Sequence, residues 1–164
     1  MNTKLITAAL MMAFTVLAYA QDTNATLSLD GKRVLALTVP AAAKITSTNG
    51  YLHIGTTNLS LHVWAVTNAA TVSEAVPRAA DIIKTEFVKF TPAAPMDMTI
   101  AGAPAKHVVG SGNEADDNDP GNAEVVFFTV GGHVFAGCVH GEADDASKAR
   151  PAMMTVLRTA RTPQ

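Results

Sequence analysis

Cysteine, tryptophan and charge are all scarce in this chain. Cys138 is its one cysteine, so no internal disulfide can form. Charged side chains make up 16% of the 164 residues, with 12 basic against 14 acidic. No Lys/Arg surplus exists to neutralise phosphates, which excludes a strongly basic nucleic-acid binder. The apolar fraction of 48% and the net charge of -2 exclude a disordered chain. Beyond residue 20, no apolar run approaches the ~20 residues that a membrane-spanning helix needs. Also absent are G-x-S-x-G, G-x-x-x-x-G-K-[ST], H-E-x-x-H, and any G-x-G-x-x-G between a strand and a helix.

What is present begins with an address. Met1 to Lys4 carries one basic residue, Leu5 to Leu17 is uncharged and mostly apolar, and Ala18-Tyr19-Ala20 forms an A-x-A site. This is the pattern of a secretory signal peptide over residues 1–20, with Gln21 as the new N-terminus. No cysteine stands there to take a lipid anchor. Residues 21–164 are then the mature chain, 144 residues forming a single α+β domain. With Lys4 removed its net charge is -3. The expected location is the bacterial periplasm or the medium, without membrane insertion after cleavage.

Alternation and turn signals divide the mature chain. Ala25–Leu29 and Lys32–Val39 read as a hairpin across Asp30-Gly31, a strong type I′ signal. Residues 41–50 read as a connection. Tyr51–Gly55 and Asn58–Val66 read as a second hairpin. Its apolar set is Leu52, Ile54, Leu59, Leu61, Val63 and Ala65, and the opposite face carries Tyr51, His53, Ser60, His62 and Trp64. Val76, Ala80, Ile83, Phe87 and Phe90 have helical spacing, so a helix is expected from about Thr71 to Phe90. Thr71 and Glu74 suit a capping box, and Pro77 argues for a start at Ser73.

Met96–Ala101 and Pro104–Ser111 read as a third hairpin, followed by a polar loop over Gly112–Gly121. Asn122–Val130 and His133–Gly141 form a fourth across Gly131-Gly132. Residues 124–130 are apolar on both faces, the mark of a central strand. A last helix is expected over about Asp145–Arg161, kinked or delayed by Pro151. The expected fold is a mainly antiparallel sheet of seven to eight strands sandwiched by two helices, in the order ββββ-α-ββββ-α.

This order resembles the PsbP-like fold, which includes photosystem accessory proteins, a Ran-release factor and exported proteins of the DcrB type. The resemblance is carried by the Asp30-Gly31 hairpin ending at Pro40, the helix at 73–90, the turn Ile100-Ala101-Gly102-Ala103-Pro104-Ala105, and the closing hairpin and helix. It would cover most of residues 25–161. Ala-Ala-Ala follows Pro40 here, where Gly-Trp is frequent in the family. The resemblance implies an accessory or binding role and brings no catalytic residue.

Three clusters carry candidate chemistry. Glu114, Asp116, Asp117 and Asp119 are dense enough in oxygen to hold Ca²⁺, but an EF-hand frame would put Pro120 at its fifth position. A solvated turn explains them equally simply. His53 and His62 are cross-strand neighbours, close enough to share a metal, although only two ligands are placed. With Tyr51, Ser60 and Trp64 they form an aromatic-polar strip suited to a ring ligand, or to packing under a helix. Cys138 and His140 share a strand face, but their spacing gives no ready dyad. The expectation is a non-enzymatic accessory or binding protein of the cell envelope, with no cofactor. Its partner would be an envelope protein or a small ligand. The alternative is a small-molecule or metal-binding protein using the Tyr51/His53/His62/Trp64 face.

Overall fold

The computed structural model describes residues 22–142 and 144–164, so the signal peptide expected over residues 1–20 lies outside the described residues. The fold is α+β with a mainly antiparallel sheet, as the alternation predicts. β1 (Thr23–Leu29) and β2 (Lys32–Val39) form a separate two-stranded ribbon. Asp30 and Gly31 turn it with φ of 50° and 76°, the left-handed pair that a type I′ turn requires. The main sheet has eight strands in the order β3-β4-β5-β10-β9-β8-β6, with β7 also paired to β8. The members not yet bounded are β3 (Lys44–Thr48), β4 (Tyr51–Thr56), β5 (Leu59–Ala65) and β6 (Phe87–Pro92). They continue with β7 (Met96–Ile100), β8 (Ala103–Glu114), β9 (Pro120–Val130) and β10 (His133–Glu142).

Two strands depart from the sequence reading. The connection at 41–50 contains β3, which pairs with β4 from Lys44↔Gly55 to Thr48↔Tyr51. All five of its residues are exposed, so it carries no apolar alternation to reveal it. The second is β6, which lies inside the expected helix. That helix is shorter: α1 (Val72–Ala75), a 3-10 turn over Val76–Arg78, and α2 (Ala79–Ile83). Thr71 caps it, its Oγ1 accepting from Glu74 N at 3.3 Å. Pro77 falls in the 3-10 turn, where its missing N–H breaks the α-helical ladder.

The helical spacing of Phe87 and Phe90 has another cause. Residues three apart in a plain strand point to opposite faces. Here Lys89 takes a φ of 55°, and the register with β8 shifts between Val88 and Thr91. This bulge returns both rings to one face. Gly110 on β8 makes room for Phe90, since a Cβ there would lie 2.5 Å from its ring and from Thr91 O, and Gly112 does the same for Phe87 at 2.6 Å.

The two faces of the sheet bury separate cores. On one, Leu52, Ile54, Leu61, Val63, Val126 and Phe128 pack under the ribbon and α3 (Asp145–Leu157). On the other, Val108, Val125, Phe127 and Ala136 pack under Ala75, Ala79 and Ile83 of the first helical segment. β9 contributes to both, as its apolar run predicts. Pro151 sits within α3 without ending it. The helix stops at Leu157, short of the expected Arg161, because Arg161 instead bridges to Ala36 of β2 through N–H···O bonds of 2.9 and 3.1 Å.

Candidate functional site

Pairing places the polar face of the second hairpin as alternation predicts. The register is Tyr51↔Trp64, His53↔His62 and Gly55↔Ser60. Gly55 has no side chain, so the His53 ring leans across it and puts Nε2 2.9 Å from Ser60 Oγ. Ser60 Oγ is in turn 3.2 Å from His62 Nε2. The His53 and His62 rings stack at 4.6 Å, and His62 stacks with Trp64 at 5.9 Å. Of the five residues that the sequence singles out here, Ser60 is exposed, Tyr51, His53 and Trp64 are half-buried, and His62 is buried.

The first helical segment covers part of this face. Trp64 packs against its apolar core. Glu86, in the turn after α2, projects to the histidine cluster. Its Oε2 is 3.6 Å from His62 Nδ1, and its Oε1 accepts from the Tyr51 hydroxyl at 3.4 Å. Tyr51 Oη is also 2.8 Å from His62 Nδ1. Burial, then the charge and hydrogen bond of Glu86, push the Tyr51 hydroxyl up to about 12. Burial, then the neighbouring His53 and His140, push His62 down to about 3.

His140 completes the cluster from β10. Cys138 pairs with His62, and His140 lies two residues on along the same face. Its ring is 5.2 Å from that of His62. His140 Nδ1 is 3.2 Å from Glu114 Oε1. Its Nε2 is buried and meets no hydrogen-bond partner among the described residues. His62, Glu86 and His140 each bring one potential ligand atom to within 4.8 Å of the others.

The sequence reading did not join Glu86 or His140 to the strip. Glu86 looks like the solvent face of a helix until the helix ends at Ile83. His140 reaches His62 only through the β5–β10 pairing, for which no local signal exists.

The acidic loop is divided between two roles. Glu114 ends β8 and turns to His140, whereas Asp116, Asp117 and Asp119 are exposed. Asp117 Oδ1 accepts from Asp119 N at 2.9 Å, and Asp116 Oδ1 from Asp117 N at 3.0 Å. The first is an ordinary Asx turn, the second a bond to the adjacent backbone N–H. Glu114, Asp116 and Asp117 also come within 4.8 Å of one another.

Nucleophile chemistry is poorly served by this geometry. Cys138 is fully buried, and burial followed by the charge of Glu86 raises its thiol above the ordinary range. Ser60, His62 and Glu86 do form a serine–histidine–carboxylate line. However, His62 Nδ1 has the Tyr51 hydroxyl at 2.8 Å and the carboxylate only at 3.6 Å, and a ring held near 3 is a weak base at neutral pH. No helix among the described residues is long and apolar enough to cross a membrane.

The fold and site thus define an α+β sheet protein with a histidine–carboxylate cluster at the margin of its helix cover. No protein-family model matches the chain, and no curated protein is similar to it. Among solved structures it is similar to a Pseudomonas aeruginosa protein of unknown function, PA94. The identity is 15% and the TM-score 0.47, over 87% of this chain and 97% of that one. It is also similar to LpqN of Mycobacterium tuberculosis, a protein involved in cell envelope biogenesis. There the identity is 16% and the TM-score 0.48, over 87% and 91% of the two chains.

Proposed function

We propose that the chain is an exported, non-enzymatic binding protein of the bacterial cell envelope, and that it holds a small ligand on the sheet face around His62. The observation that carries this reading is the contrast between the two faces. One is sealed by the ribbon and α3 over an apolar core. On the other, Tyr51, His53, Ser60, His62, Glu86 and His140 form a partly exposed cluster of polar groups and rings. A few polar groups converging on one partly covered patch are what fixes a small ligand. The residue pattern of the first twenty positions supports export. The buried thiol and the weak base at His62 support a role without catalysis. The element order, and with it the PsbP-like resemblance, supports an accessory role.

Two experiments test this. The full chain is expressed in a bacterial host and its N-terminus is mapped; processing to Gln21 with recovery from the periplasm is expected. The processed protein is then screened by melting temperature and Trp64 emission. The panel contains divalent metal ions, monosaccharides, amino acids and aromatic carboxylates. At least one class should act on the natural protein and not on His62→Ala. A chain left unprocessed in the cytoplasm, or inert to the whole panel, would overturn the reading.

A further inference from the structure

We infer that His62, Glu86 and His140 form a site for a divalent transition-metal ion such as zinc, with Glu114 as the residue that positions His140. The inference deepens the binding reading and rests on it. Three elements deliver the donors: β5, the turn between α2 and β6, and β10. Ligands about 2.0–2.1 Å from a tetrahedral ion lie roughly 3.4 Å from each other. His62 Nδ1 and Glu86 Oε2 are already 3.6 Å apart, and each of the three residues brings one potential ligand atom to within 4.8 Å of the others. Closing the remainder calls for side-chain adjustment of roughly 1 Å.

The hydrogen bonds around the donors suit an ion. An ionised Glu114 only accepts, so the proton in its bond lies on His140 Nδ1. In the neutral ring the lone pair is then on Nε2, the buried atom that no described residue satisfies. A carboxylate behind a histidine, fixing its tautomer and ring plane, is the usual outer support of a metal ligand. His62 is held in a similar way. With Nε2–H given to Ser60 Oγ, its Nδ1 is directed at Glu86. The Tyr51 hydroxyl must swing off Nδ1 to admit the ion, and it keeps Glu86 Oε1 as an acceptor.

Charge and access agree. Glu86 and Glu114 together balance a dication. Two imidazoles with one carboxylate suit zinc and its transition-metal neighbours, whereas calcium and magnesium prefer oxygen alone. An open cleft of about 600 Å³ reaches His140 and Ser60 between the β4–β5 turn and the first turns of α3, near Asp145 and Lys148. Three protein ligands leave a fourth position to water.

The test is calorimetric titration of the processed, chelator-treated protein with Zn²⁺, repeated with Co²⁺ to read the visible spectrum. One ion per chain is expected. His140→Gln and Glu86→Gln should each weaken binding at least tenfold, and Glu114→Gln by about 10–100-fold. Glu114→Gln should also shift the Co²⁺ spectrum with its melting temperature unchanged, which a merely structural residue would not do. His133→Gln, on the exposed start of β10, should bind as the natural protein does. No binding, binding indifferent to His140→Gln and Glu86→Gln, or binding lost instead in Asp116→Asn/Asp117→Asn would overturn the inference. A panel in which organic ligands act and metal ions do not would remove the metal site and leave the broader binding reading standing.

Discussion

Glu114 and His140 meet at 3.2 Å across the ends of β8 and β10, and their contact orients a buried ring nitrogen that has no partner among the described residues. The pair joins two features that look unrelated along the chain, an acidic loop and a histidine near a buried cysteine. Several consequences of this arrangement can be measured.

The first concerns acid stability. His62 is held near 3 in the folded chain and near 6.5 when unfolded. The unfolded state therefore binds more protons between those values. The stability this residue contributes is fully present above about 6.5, and is lost as pH falls toward about 3. In metal-free protein the slope from this residue is at most about 1.4 kcal/mol per pH unit. Urea unfolding at several pH values should show a shallower dependence in His62→Gln than in the natural chain. Identical slopes would mean that His62 titrates normally.

The second concerns the bulge that imitates a helix. Lys89→Gly removes the steric cost of a left-handed residue and should leave stability unchanged or raised. Lys89→Val should lower it by about 1–2 kcal/mol, because a β-branched residue fits that region badly. Gly110→Ala should cost about 1–3 kcal/mol by overpacking against Phe90, while Gly55→Ala, with 3.5 Å to its nearest neighbour, should cost far less. Denaturant midpoints of the four variants decide the matter.

The fold is legible in the sequence where alternation and turn chemistry act together. Asp30-Gly31 and Gly131-Gly132 mark their hairpins, and the Tyr51–Trp64 face is in register because a one-residue slip would expose Leu61 and Val63. It is not legible where the controlling interaction is distant. β3 has no buried face of its own. Phe87 and Phe90 have helical spacing because of a bulge, not a helix. His62, Glu86 and His140 meet only once β10 has paired beside β5 and the helical segment has stopped at Ile83.

A third prediction concerns the opposite face. Glu124 is buried, with His107 Nε2 at 2.9 Å and Arg150 at 3.7 Å from the same oxygen. His107→Ala leaves that carboxylate short of a partner and should destabilise by about 3 kcal/mol. Replacing both residues in His107→Leu/Glu124→Leu should recover much of the loss. A double variant as unstable as the single would show that the pair is not coupled.

A fourth uses the one thiol. Cys138 packs among apolar side chains beneath the first helical segment, and its pKa is raised by burial. A thiol reagent should label the unfolded chain within minutes, and the folded chain slower by orders of magnitude. Rapid labelling of the folded chain would reopen a reactive role for Cys138.

The metal site is tested most directly by anomalous diffraction at the zinc edge, on crystals of the processed protein grown with Zn²⁺. A peak should lie about 2.0–2.1 Å from His140 Nε2 and within bonding reach of His62 and Glu86. Glu114 should still hold His140 Nδ1. A map with no peak among these three residues, or with its peak on Asp116 and Asp117, would contradict the assignment.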